Sequence, residues 1–119
     1  VKCFWGHNLH EISDWIGKVC QALSAEVYVT IDLDVLDPAI MPAVGTPEPG
    51  GLDWKTLTQF LGHLARERTV VGFDVVELAP IPGLSAPDFL AAKLIYRFLG
   101  NIFASSLASR KNQPLGKEC

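Results

Sequence analysis

The stretch VYVTIDLDVLDPAIMPAVGTPEPGG, Val27 to Gly51, puts Asp32, Asp34 and Asp37 within six residues at the end of an apolar run. Residues two apart in a strand point to the same face. Asp32 and Asp34 are therefore read as projecting together where the strand ends. Two ionised carboxylates side by side repel, and burial raises the cost. A divalent cation removes both penalties, and carboxylate oxygens suit hard ions such as Mn²⁺ or Mg²⁺. The plain alternative is a pair of turn aspartates standing in water. Asp37 precedes Pro38 and is pushed toward an extended backbone. It is read as a loop organiser whose carboxylate bonds nearby backbone N–H groups.

A second apolar run, GFDVVELAP, carries Asp74 and Glu77. Three residues apart in a strand, they are expected to face opposite ways. Glu77 stands near the carboxyl end of the run, where a carboxylate can pair with a planar cation through charge-assisted hydrogen bonds. A salt bridge to a neighbouring Lys or Arg is the alternative. His7 and His10 at a helix entrance and His63 on a helix surface are given no role in chemistry.

The elements that must hold these groups read in the order α-β-α-β-α. His10 to Leu23 has one apolar face, Ile12, Trp15, Ile16, Val19, Cys20 and Leu23, with Asn8 and Glu11 spaced as a capping box. Val27 to Ile31 is a strand. Pro38 to Gly51 is a loop punctuated by Pro42, Gly45, Pro47, Pro49, Gly50 and Gly51. Asp53 caps a second helix with Trp54, Leu57, Phe60, Leu61 and Leu64 on one face. Thr69 to Leu78 is a second strand, and Pro80 to Gly83 a turn. Pro87 opens a third helix, with Leu90, Ala91, Leu94, Ile95, Phe98, Leu99 and Ile102 as its buried face. After Ser105 the periodicity fades, so 106–119 is expected to be a disordered tail to a domain of residues 1–105. Continuous apolar strands predict an α/β fold with a parallel sheet covered on both faces. The carboxyl ends of such strands form the ligand crevice.

The remaining composition narrows the field. The 119 residues suit one domain, and 49% of them are hydrophobic, enough for a core. A formal net charge of −3 with no basic stripe argues against nucleic acid. No apolar run reaches the ~18 residues of a membrane span, and the first ten residues lack the apolar core of a signal peptide. The three cysteines, Cys3, Cys20 and Cys119, form no CxxC pair and read as reduced thiols of a cytoplasmic protein. The first residue is Val rather than Met, which is read as a start inside a longer protein.

Three segments together are specific. VTIDLDVLDP, VGTPEPGGL and GFDVVELAP, in that order, resemble the ureohydrolases: agmatinases, arginases and formimidoylglutamases. APDFLAAKLIYRFLG is similar to the closing helix of that family. The resemblance covers about Val27 to Gly100 and implies a three-layer α/β/α fold, here only its C-terminal part. It implies two Mn²⁺ ions per complete site, with Asp32 bridging both and Asp34 binding one. It implies that Glu77 receives a small guanidinium substrate, that the TPEPGG loop with Gly50 and Gly51 shapes the site mouth, and that the protein is a trimer or hexamer. The nucleophile would be metal-activated water, so no side chain here is assigned as catalytic. Ala43-Val44 stands where many relatives have Gly-Thr. The G-G-D-H and D-A-H-x-D ligand segments and the family's shuttling histidine do not occur in this chain, so the isolated chain is expected to be inactive.

Agmatine, cleaved to putrescine and urea, is the expected substrate. Arginine, guanidinobutyrate and formimidoylglutamate are the alternatives within the family. IDLDVL also resembles the start of haloacid-dehalogenase-type phosphatases. That reading wants Thr or Val where Leu36 stands, and it leaves PEPGG and VVELAP unexplained. A non-catalytic fragment or assembly subunit is the remaining reading.

Overall fold

A computed structural model describes residues 1–111. Two strands, β1 (Glu26–Asp32) and β2 (Thr69–Val76), form a parallel pair running from Glu26 opposite Thr69 to Asp32 opposite Val76. Three α-helices accompany them: α1 (Trp15–Ala22), α2 (Trp54–Glu67) and α3 (Ala86–Lys111). A parallel pair needs a long crossover, and α2 with the loop before it provides one.

One face of the sheet is packed. Val29, Ile31, Val70, Phe73 and Val75 meet Leu57, Leu61, Ala65, Leu94 and Phe98 from α2 and α3. Phe98 is fully buried and meets Phe73 edge-to-face, with ring centroids 4.9 Å apart. Truncating such a residue to alanine costs about 3–5 kcal/mol. Cys20 of α1 packs with Val27 and Leu64, and Trp15 lies 5.4 Å from Phe60, so α1 joins the same helical side.

The other face differs from the sequence expectation. A shift of register between Val27 and Tyr28 sets Tyr28 opposite Gly72. Tyr28, Thr30 and Asp32 alternate outward with the buried Val27 and Ile31. The Tyr28 ring lies over Gly72, where an added β-carbon would come within 2.8 Å of it. Tyr28 Oη donates to Asp74 at 3.0 Å, and that carboxylate pushes the phenol above its ordinary range. Among the described residues nothing packs over this face: Tyr28 and Val71 are both exposed. The chain thus shows the sheet and one helical layer, two of the three layers expected.

Helix ends also differ in part. Residues Gly6–Glu11 form a 3-10 turn, and α1 starts at Trp15 behind Asp14, whose carboxylate accepts from Gly17 N at 3.2 Å. The apolar rhythm runs through Ile12 and hides this break, and the Asn8–Glu11 capping box does not form the helix start. Asp53 does cap α2, accepting from Thr56 N at 2.6 Å. The third helix begins at Ala86 and runs to Lys111, past the Ser105 limit read from the sequence. Leu99 lies exposed rather than on its buried face. The expected tail from residue 112, with Cys119, lies outside the described residues. Among them, no helix is long and apolar enough to cross a membrane.

Candidate active site at the carboxyl end of the strands

The strand β1 ends at Asp32, and a 3-10 turn, Leu33–Val35, follows at once. Asp34 is therefore not a strand residue, and the pleat does not align it with Asp32. The two are joined by a local turn instead: Asp34 N donates to Asp32 Oδ1 at 2.9 Å. Leu33 between them is fully buried and pins the turn to the core. The acidic pair still sits at one strand end, held by a side-chain-to-backbone bond of the kind aspartate favours.

Asp37 organises what comes next. Its two carboxylate oxygens accept from Ala39 N at 2.9 Å and Gly50 N at 3.0 Å. These bonds hold the carboxyl below its ordinary range. Its carbonyl accepts from Ile40 N and Met41 N, and its own N–H donates to Leu52 O at 3.1 Å. Leu52 N donates to Val35 O at 2.7 Å, closing the base of the loop. Gly51 is required there, because a β-carbon on it would lie 2.5 Å from both Leu36 C and Asp37 N. Gly50 has φ +89°, a conformation that glycine adopts without steric cost.

The loop then reaches across to the second strand. Thr46 Oγ1 donates to Asp34 Oδ2. Ala43 O accepts from Ala79 N at 2.8 Å, tying the loop to the segment after β2. A β-carbon on Gly45 would stand 3.6 Å from Glu77 Oε2, so the Glu77 carboxylate lies beside this turn of the loop.

Glu77 follows the last residue of β2 and has φ 67°. The alternation argument that separated it from Asp74 therefore does not apply, since the strand has already ended. A left-handed backbone at a long side chain is uncommon and marks a position held by its surroundings. Because the strands are parallel, Asp32 and Val76 are register partners, and Glu77 emerges at the same sheet edge as Asp32.

Asp32, Asp34, Thr46 and Glu77 thus gather at one end of the sheet. Thr46 and Gly45 were not singled out as site residues from sequence, although both lie in the VGTPEPGGL segment. The signal that could have found Thr46 is a hydroxyl in a loop that must fold back over two carboxylates. His7 and His10 lie on the amino-terminal 3-10 turn, not on these elements.

The donor set fits part of a hard-metal site. Asp34 Oδ1 is buried and accepts no hydrogen bond, while Oδ2 is held by Thr46. An orphaned buried carboxylate oxygen is costly unless a cation or donor meets it. Among the described residues, no three His, Cys, Asp or Glu side chains converge to hold an ion, so this pair is an incomplete shell.

Comparison with known proteins identifies the family and the fold. The sequence profile of the arginase family matches residues 1–100. The N(1)-aminopropylagmatine ureohydrolase of Synechocystis sp. is 39% identical over 101 residues, covering 84% of this chain and 33% of that protein. The agmatinase of Pyrococcus horikoshii is 34% identical over 96 residues, 81% of this chain and 34% of its own length. Among solved structures, the agmatine ureohydrolase of Thermoplasma volcanium superposes with a TM-score of 0.69 at 34% identity, covering 82% of this chain and 33% of that one. The proclavaminate amidino hydrolase of Streptomyces clavuligerus gives 0.74 at 28%, covering 88% and 36%. The chain spans about a third of the length of the relatives it matches. It has their α/β fold with a parallel sheet, and it belongs to the arginase family.

Proposed function

We propose that this chain carries the carboxyl-end part of a ureohydrolase active site acting on a small guanidino compound, agmatine first. The observation behind this reading is the convergence of Asp32, Asp34, Thr46 and Glu77 on one sheet edge through a single loop. Asp32 and Asp34 would hold manganese together with ligands from outside this chain. Bound manganese would supply Lewis-acid activation of water, the attacking group in hydrolysis to urea and an amine.

The chain's own residues have distinct tasks. Thr46 fixes one oxygen of Asp34, which leaves the buried oxygen aimed by the turn rather than free to rotate. The hydrogen bond from Asp34 N holds the Asp32 carboxylate in place. Glu77 accepts N–H bonds from the planar guanidinium and orients its carbon, a positioning effect. Its left-handed backbone aims the carboxylate toward the loop instead of along the strand.

The relatives named N(1)-aminopropylagmatine ureohydrolase favour a second substrate, the aminopropyl-extended form of agmatine. Both compounds present the same guanidinium, so Glu77 serves either. Putrescine formation from agmatine would place the enzyme in polyamine metabolism, in the cytoplasm. The test is steady-state kinetics of the complete polypeptide on agmatine, N(1)-aminopropylagmatine, guanidinobutyrate and arginine with Mn²⁺. Agmatine or its aminopropyl derivative should give the highest kcat/KM. Arginine as the best substrate would overturn the choice, and no urea from any of them would overturn the reaction class.

A further inference from the structure

Asp74 lies outside the group gathered at the strand ends. It stands inside β2, with its carboxylate on the open face of the sheet beside Tyr28. One oxygen, Oδ2, accepts from Tyr28 Oη at 3.0 Å. The other, Oδ1, is buried and accepts no hydrogen bond, not even from its register partner Thr30. A buried carboxylate oxygen left bare is costly and calls for a donor.

The fold holds this carboxylate in one orientation. The register shift between Val27 and Tyr28 sets Tyr28 opposite Gly72. Glycine there admits the Tyr28 ring, since a β-carbon would come within 2.8 Å of it. The phenol then reaches Asp74, two residues further along β2, and occupies Oδ2. Oδ1 is thereby kept for another donor. An aspartate that merely stood in water would need neither the register shift nor the glycine.

Its height on the sheet says what that donor serves. Tyr28, Thr30 and Asp32 share the open face, and Thr30 is opposite Asp74. Asp32 therefore stands one tier nearer the site, two residues or ~6.6 Å along the strands. Among the described residues no third ligand joins Asp32 and Asp34. A segment outside this chain must then bring both the missing ligands and a donor for Asp74. A Lys or Arg in that place would set a positive charge beside a divalent ion, where like charges repel. A neutral imidazole meets both needs: one nitrogen binds the ion, and the other N–H goes to a carboxylate, as ligating histidines commonly do. The tier spacing is about the span from an ion through one such ring to its acceptor.

We propose that Asp74, clamped by Tyr28, is the positioning carboxylate for a metal-ligating imidazole supplied from outside this chain. The inference rests on the metal reading of Asp32 and Asp34, and adds a group that acts on the ion only through its ligand. The test uses the complete polypeptide and Mn²⁺ alone, by equilibrium dialysis. Asp74→Asn should weaken Mn²⁺ binding about 10–100-fold, the usual cost of losing such a partner, while the metal-free protein keeps the parent's circular dichroism. Tyr28→Phe removes only the clamp and should weaken binding less. With histidine labelled in nitrogen-15 and Zn²⁺ as a diamagnetic ion, the parent should show an imidazole N–H signal that both variants shift or lose. A merely structural aspartate would leave that signal in place. No Mn²⁺ binding by the parent would overturn the metal reading and this inference together. Parent-like affinity in Asp74→Asn, or unchanged histidine N–H signals, would overturn the inference alone. If Asp74→Asn does not fold, Tyr28→Phe decides: unchanged affinity with unchanged N–H signals would overturn the arrangement.

Discussion

The two strand ends that meet at the site are built by different means. After β1 the chain is fastened at nearly every step: the Asp32–Asp34 turn, the Asp37 bonds to Ala39 and Gly50, and the paired Leu36–Leu52 base. After β2 the chain is tied to the loop by Ala79 N donating to Ala43 O, closes a turn with Leu84 N donating to Ile81 O, and sets Glu77 in a left-handed conformation. The first end holds its carboxylates with hydrogen bonds that also stabilise the fold. The second holds its carboxylate at a conformational cost. Groups that bind an ion need fixed geometry, whereas a group that receives a substrate can be held at the expense of local stability.

The largest effect should come from the first end. In the complete polypeptide, Asp34→Asn neutralises the carboxylate whose buried oxygen accepts no hydrogen bond, the proposed metal ligand. Turnover should fall by more than about a hundredfold, since even outer partners of metal ligands are worth about 10–100-fold. Steady-state urea release measures this, and Asp32→Asn should behave alike. Activity within tenfold of the parent in both would break the contrast between the two ends.

Glu77→Gln should cost about 10- to 150-fold in kcat/KM, the equivalent of a hydrogen bond to a charged group worth about 1.5–3 kcal/mol. Glu77→Gly sharpens the comparison. It relieves a side chain at φ 67° and should raise stability by roughly 0.5–1 kcal/mol while activity is lost. Denaturant unfolding of the complete protein reads this, and a clear loss of stability would show that Glu77 is a structural residue.

The smallest effect is the pH dependence of Asp37. Its backbone hydrogen bonds hold the folded carboxyl below the ordinary value of 3.8. The unfolded state then takes up a proton first as the pH falls. The stabilisation is fully present above the ordinary value and is lost as pH falls through the depressed one. The stability difference between the parent and Asp37→Asn should therefore be constant from neutral pH to about 5 and shrink below that. A difference that grows on acidification would contradict the assigned cause.

Much of the framework was legible in the sequence because local rules decide it. Both strands, the Asp53 cap and the buried Leu94–Phe98 face follow from periodicity and capping. What was not legible depends on where regular structure stops. The pleat rule joined Asp32 to Asp34 for the wrong reason, because β1 ends between them. The same rule does not reach Glu77, which lies beyond β2. Thr46 was invisible because its contact with Asp34 spans a loop whose path no period describes. The open sheet face follows from which partners are present, and a local pattern does not carry that.

The proposed function divides the labour, with Asp32 and Asp34 for metal and Glu77 for substrate. Manganese content and urea release, measured side by side on the complete Asp34→Asn and Glu77→Gln proteins, test it most directly. The account predicts that Asp34→Asn loses manganese together with activity, whereas Glu77→Gln keeps the parent's manganese and loses activity alone. Parent-like manganese in Asp34→Asn, or loss of manganese in Glu77→Gln, would contradict it.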